Sequence, residues 1–165
     1  IICDRKDIII AVDGEVCTWA DIDRVESLNE KNLRGPIGFQ SNHSNPDQWV
    51  KLRNLRIRNL DREPEYVIQG FSYMDPRIRR LAHEASVRLE SLIVEPLCGL
   101  MAGEDSISAG GAKKALFDIA ALASAPDANE SLRGSVVKAL NDQAEKSESE
   151  IVRNYIEWLL GMIGG

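Results

Sequence analysis

The chain has 165 residues, a length that suits one ordinary domain or two small ones. Its net charge of −6 falls in residues 63–165, and an acidic half without a basic cluster argues against binding a nucleic-acid backbone. No stretch approaches the roughly 18 consecutive apolar residues of a membrane-spanning helix. The first residues, "IICDRKD", include no methionine, so we expect an internal fragment or a processed chain.

Two β-strands are predicted near the start of the chain, at residues 7–12 and 15–22. The first run, "DIIIAV", is apolar and β-branched, and the second, "EVCTWADI", alternates regularly. Asp13-Gly14 lies between them and indicates a hairpin, because a type I′ turn needs positive φ at both central residues.

The next segment predicts an excursion and two more strands. Residues 23–34 are polar and allow at most a short helical turn, and a third strand follows at 35–41. In the fourth strand, at 49–60, the alternation slips by one residue. This slip predicts either a β-bulge at Arg53-Asn54, where two residues oppose one, or a strand that is buried on different faces at its two ends.

The pattern then changes from strands to helices. Residues 63–74 contain a proline and a glycine and predict a linker, whereas residues 75–165 predict a helical module. Asp75 is a typical N-cap and Pro76 suits the first helical position. Four or five amphipathic helices joined by short loops would stack as helical hairpins.

Apolar residues at three- and four-residue spacing predict which helix faces point inward. Residues 102–111 predict a loop, and Pro96 either kinks a helix or starts a new one. The residues predicted to face the helical core are Ile78, Leu81, Ala82, Ala85, Leu89, Leu92, Leu116, Ile119, Ala120, Ala123, Leu132, Val136, Leu140, Ile151, Tyr155, Trp158, Leu159 and Met162.

The cysteines and isolated ring side chains indicate little chemistry by themselves. The three cysteines lack metal-ligand spacing; Cys3 and Cys17 could form a disulfide across a hairpin, and buried free thiols are the alternative. His83 predicts a surface or half-buried helical residue, and Trp19 and Trp158 predict packing residues.

Three segments together resemble the closing strands of the 3-keto-disaccharide hydrolase domain. They are "IIIAVDGEVCTWADID", "GPIGFQSNH" and "VKLRNLRIRNL", in that order. Asp13-Gly14 stands where the family usually has Asn-Gly, and Gly38-Phe39-Gln40 stands for Gly-Leu-Gln. The resemblance implies an α+β chain in which residues 1–62 form the C-terminal strands of a concanavalin-like jelly-roll β-sandwich, with the remaining strands lying before Ile1.

The resemblance also implies a sugar site in the loop between the third and fourth strands. We expect Gln40, Asn42, His43 and Trp49 to bind substrate, since amides and imidazole can hydrogen-bond sugar hydroxyls and an indole can stack on a sugar ring. His43 is the candidate catalytic residue, as a general base, although it lies one residue later than the family's histidine. The alternative is a surface turn rich in Asn, Ser and Pro.

The last helix, "EIVRNYIEWLLGMIG", resembles the second helix of a HEAT- or armadillo-type repeat. Repeats of this kind imply a module that contacts a protein partner or braces the sandwich. Together the two resemblances imply a fragment of an extracytoplasmic (periplasmic or secreted) hydrolase that acts on 3-keto-disaccharides. The sequence indicates no cofactor and no metal-ligand set, and it leaves the metal requirement of the reaction open. The alternative is a non-catalytic scaffold that binds carbohydrate or protein, and we expect the fragment alone to be inactive.

Overall fold

A computed structural model describes four stretches of the chain, and its contacts divide the chain into two compact units. The described residues are 1–4, 7–12, 15–26 and 63–164. The first unit is Ile1–Arg58 and the second is Asn59–Gly165. The predicted α+β class is confirmed in its coarse form, because the described chain is mostly helical with one small antiparallel sheet.

The described part of the first unit is a three-stranded antiparallel sheet in the order β1-β2-β3. Its strands are β1 (Ile2–Asp4), β2 (Asp7–Val12) and β3 (Glu15–Asp21). The strands predicted at β2 and β3 are confirmed, and a short 3-10 helix follows them at Ile22–Arg24. The sequence did not predict β1, because three residues are too few to show an alternation. The turn at Asp13-Gly14, the third and fourth strands and the sandwich as a whole lie outside the described residues.

The regular alternation predicted for β3 is interrupted by a β-bulge. Ile10 pairs with Thr18, but the next residue of β2, Ala11, pairs with Val16. Cys17 therefore opposes no residue of β2 and its side chain is exposed. The bulge explains why the side chains before and after Cys17 do not keep one alternating phase.

A disulfide between the two cysteines of the sheet is not formed. Cys3 lies on β1 and Cys17 on β3, so the whole of β2 separates them. Two strand spacings amount to about 9.5 Å, which exceeds the limit of about 7 Å between Cα atoms for a disulfide. Both thiols are free and exposed, so the prediction of buried thiols is wrong for this pair and holds for Cys98.

The second unit consists of helical hairpins stacked in two layers. Its helices are α1 (Pro64–Gly70), α2 (Pro76–Leu89), α3 (Val94–Met101), α4 (Ser106–Ser124), α5 (Glu130–Lys146) and α6 (Glu150–Gly164). Successive helices pair as hairpins, and the pairs stack so that α2, α4 and α6 form one layer and α1, α3 and α5 form the other. One apolar core joins both layers. The HEAT- or armadillo-type assignment of this stack stays a prediction.

Aspartate caps determine where two of these helices begin. The carboxylate of Asp75 accepts a hydrogen bond of 2.8 Å from the backbone N–H of Arg77, which confirms the predicted start of α2. Asp105 caps α4 in the same way, so α4 begins at Ser106. The loop predicted at 102–111 is therefore wrong in its second half, because the cap outweighs the helix-weakening glycines that follow it.

Residues 63–74, which the sequence predicted as a linker, contain α1 and part of the core. Pro64 occupies the first turn, where a helix needs no backbone donor. Phe71 is 1% exposed, and its backbone carbonyl accepts a hydrogen bond of 3.2 Å from Ser108 Oγ of α4. A Cβ built on Gly111 of α4 would lie 2.7 Å from the Phe71 ring, so only glycine permits this close approach.

Most residues predicted to face the core are buried. Those confirmed are Ile78, Leu81, Ala82, Ala85, Leu89, Leu116, Ile119, Ala120, Ala123, Val136, Leu140 and Leu159. Leu92 is an error, because α2 ends before Glu90, whose φ of 54° lies in the left-handed region and interrupts the helical phase. Beyond this break Ile93 is buried and Leu92 is exposed.

The inward face of α6 was predicted one residue out of phase. Its buried residues are Val152, Ile156, Leu159 and Ile163. Ile151 and Trp158, predicted to point inward, are 73% and 53% exposed. One residue corresponds to about 100° around a helix, so Ile151 and Trp158 lie at the surface, whereas Tyr155 and Met162 are partly buried at the edge of the core.

Candidate functional site

The site predicted from the sequence cannot be placed in the structure. Gln40, Asn42, His43 and Trp49 all lie outside the described residues, so their roles stay predictions. The described residues contain two other groups of side chains that could bind a ligand or take part in catalysis. One is a pair of carboxylates in the sheet, and the other is a cluster of aromatic and polar residues on the helical unit.

The carboxylates of the sheet belong to Asp7 and Asp21, which are paired directly across β2 and β3. Both residues are buried, and the Trp19 indole N–H donates a hydrogen bond of 2.8 Å to Asp7 Oδ1. Arg24 forms an ion pair of 3.5 Å with Asp21. These contacts give both carboxylates a structural role in holding the end of the hairpin together.

Phe117 of α4 and Tyr155 of α6 each stack against Trp158 of α6 on the helical unit. We call Phe117, Tyr155 and Trp158 the aromatic surface. The ring centres of Phe117 and Trp158 are 5.9 Å apart with planes 16° from parallel, and those of Tyr155 and Trp158 are 5.5 Å apart at 22°. These separations indicate offset stacking, in which each neighbour covers only part of the indole. Trp158 accordingly keeps about half of its surface open to solvent.

The parallel course of α4 and α6 brings these rings together. Lys113 and Phe117 of α4 contact Tyr155 and Trp158 of α6, respectively, so one turn of each helix matches one turn of the other. Tyr155 Oη donates a hydrogen bond of 2.9 Å to the backbone carbonyl of Lys113. The Lys113 ammonium also lies 4.8 Å from the centre of the Tyr155 ring, a cation–π contact that steadies the same ring.

A group of polar side chains borders the aromatic surface on α4. We call His83, Lys114 and Asp118 the polar cluster. Asp118 Oδ2 lies 2.9 Å from both His83 Nε2 of α2 and Lys114 Nζ. Partial burial, together with the negative charge of Asp118, raises the pKa of the Tyr155 hydroxyl, so this carboxylate is within electrostatic reach of the aromatic rings.

This arrangement suits binding more than bond-breaking chemistry. The aromatic surface offers open ring area, and the polar cluster adds hydrogen-bond donors and acceptors beside it. Within the described ranges, no group of three or more histidine, cysteine, aspartate or glutamate side chains is arranged to hold a metal ion. The aromatic surface and the polar cluster together are the candidate ligand-binding surface of the helical unit.

The sequence predicted the positions of only some residues of this surface. The interpretation of His83 as a half-buried helical residue is confirmed. Trp158 does pack, on Phe117 and Tyr155, but the inward position predicted for it is wrong because it is 53% exposed. A signal was available, because residues 151–163 carry apolar side chains in two phases of the helix and a helix can bury only one of them. The apolar side chains of the other phase, such as Trp158, are therefore available to form the aromatic surface.

Among the described residues, none of the helices combines the length and the apolar character needed to cross a lipid bilayer. No protein-family model, curated protein or solved structure matches the chain.

Proposed function

We propose that this chain is part of an extracytoplasmic, carbohydrate-active protein whose first unit contains the closing strands of a 3-keto-disaccharide hydrolase-type sandwich. The observation that carries the proposal is the antiparallel pairing of β2 and β3. This hairpin ends at Asp21 and precedes the "GPIGFQSNH" and "VKLRNLRIRNL" segments, which begin at Gly35 and Val50, in the order of the family that the chain resembles. Burial alternates along β2 from the buried Ile9 to the exposed Ile10, as expected for a strand that is covered on one side.

The proposed reaction is hydrolysis of a 3-keto-disaccharide at the loop between the third and fourth strands. Gln40 and Asn42 would hydrogen-bond sugar hydroxyls, and Trp49 would stack on a sugar ring. His43 would act as a general base, because imidazole exchanges protons near neutral pH. The helical unit, as a HEAT-like module, would brace the sandwich or bind a protein partner.

Hydrolysis of a 3-keto-disaccharide by the intact protein tests this proposal. We expect His43→Ala to lower kcat by about a hundredfold or more, the usual contribution of a general base. Added imidazole should restore part of that rate, which a purely structural histidine would not allow. Trp49→Ala should mainly raise KM. An active protein whose rate is unchanged by His43→Ala would remove the catalytic role of this histidine.

A non-catalytic scaffold is the second candidate function. It is favoured because the exposed aromatic and polar side chains that could bind a ligand lie, among the described residues, on the helices. Asp7 and Asp21 of the sheet are instead buried and held in structural contacts. An intact protein that binds glycans but releases no sugar from 3-keto-disaccharides would support this candidate and exclude the hydrolase.

A further inference from the structure

We propose that the aromatic surface and the polar cluster together form a carbohydrate-binding site on the helical unit. The ligand class is a β-linked pyranose chain whose hydroxyls are equatorial. This site is separate from the loop at residues 40–49 and does not depend on the hydrolase proposal. It uses α4 and α6 as its floor and the His83 side of α2 as its border.

The chemistry of such sugars matches the two halves of the site. A pyranose ring with equatorial hydroxyls presents a flat face of C–H groups, and Trp158, which is 53% exposed, offers apolar ring surface for such a face to contact. The hydroxyls project from the edge of the sugar ring. Lys114 can donate to them, and Asp118 has a second carboxylate oxygen that can accept.

The rings are held in place before any ligand arrives. Tyr155 is fixed by its hydrogen bond to the Lys113 carbonyl, and Trp158 is fixed by stacking on both Phe117 and Tyr155. Helix packing positions all three residues, so binding requires little ordering of side chains. Such preorganisation favours affinity for a weakly interacting ligand.

The size of the surface favours a small ligand over a folded protein partner. Phe117 is 37% exposed and Trp158 53% exposed, which leaves about 200 Å² of open aromatic area if each ring presents roughly 150–250 Å² in full. A stable protein interface covers roughly 800 Å² on each partner. The charged side chains of Lys113 and Asp118 also lie beside these rings.

Isothermal titration calorimetry of the whole chain with cellopentaose, a β-linked glucose pentamer, tests the proposal. We expect saturable binding that Trp158→Ala weakens by about tenfold or more and that Trp158→Tyr partly restores. Ile151→Ala is the matched control, because Ile151 is an exposed apolar residue of the same helix. Thermal unfolding of each variant checks that Trp158→Ala leaves the helices folded.

Three results would overturn the proposal. The first is no heat of binding at millimolar cellopentaose. The second is binding that Trp49→Ala abolishes and Trp158→Ala leaves unchanged, which would place the sugar at the 40–49 loop. The third is concentration-dependent self-association in sedimentation experiments that Trp158→Ala removes, which would make the aromatic surface a contact between copies of the chain.

Discussion

Substitution of two adjacent glycines in α4 provides a sensitive test of how the helical unit packs. A Cβ at Gly111 would lie 2.7 Å from Phe71 Cδ1 and 3.1 Å from Cε1, whereas a Cβ at Gly110 meets nothing within 4 Å. Alanine stabilises a helix interior by about 1 kcal/mol relative to glycine. Gly110→Ala should therefore raise the free energy of unfolding by about that amount.

Gly111→Ala gains the same helix propensity but forces the buried ring of Phe71 to move. Overpacking of this kind costs about 1–3 kcal/mol. The two alanine variants should consequently differ by about 1–3 kcal/mol in their free energy of unfolding, with Gly111→Ala the less stable. The comparison cancels the propensity term because both positions lie within one turn of the same helix.

Equilibrium urea unfolding, followed by the helical circular dichroism signal, measures this difference. In a Phe71→Leu background the smaller side chain should relieve the clash, so the gap between the two alanine variants should shrink. Equal stabilisation by Gly110→Ala and Gly111→Ala in the natural background would refute the packing of Phe71 on α4. It would also favour the original prediction that residues 63–74 form a linker outside the helical core.

Three further predictions concern charge, backbone strain and thiol reactivity. The hydrogen bond from Arg77 lowers the pKa of Asp75 from 3.8 to about 2, so the stabilisation by this carboxylate is present above pH 3.8 and is lost as pH falls through 2. Asp75→Asn keeps a capping side chain, and acid unfolding curves should show that its stability falls less steeply than that of the natural chain over this range. Glu90→Gly should raise the free energy of unfolding by roughly 1 kcal/mol, because glycine adopts positive φ without strain, and Glu90→Ala should not; urea unfolding of both variants decides. Burial, aided by the charge of Glu95, raises the pKa of the Cys98 thiol to about 12, so iodoacetamide at pH 8 should label the two exposed cysteines and spare Cys98 until urea is added, as mass spectrometry would show.

Local signals in the sequence predicted the start of α2 and most of the helical core. The Asp75-Pro76 pair determines the start of α2 through hydrogen bonds within one turn, so no distant residue is needed to recognise it. The inward face of α4 was also predicted, because its buried residues, Leu116, Ile119, Ala120 and Ala123, recur at three- and four-residue spacing. These features depend on chemistry contained within a single helix.

The errors occur where a distant neighbour decides the outcome. In α6 two apolar phases compete, and contact with α4 decides that Ile156 is buried and Trp158 is exposed. The short helix α1 has weak local signals and is stabilised through Phe71, whose partner Gly111 lies 40 residues further along the chain. The aromatic surface has the same origin, because Phe117 and Trp158 become neighbours only when the hairpins stack.

The most direct test of carbohydrate as the ligand of this chain is an NMR titration of its tryptophan indole N–H signals with cellopentaose. The chain contains three tryptophans, Trp19, Trp49 and Trp158, and each can be assigned by a phenylalanine variant. We expect the Trp158 signal to shift saturably and the Trp19 signal to stay fixed, since its N–H is bonded to Asp7. A spectrum in which neither Trp158 nor Trp49 responds at millimolar sugar would contradict the carbohydrate account.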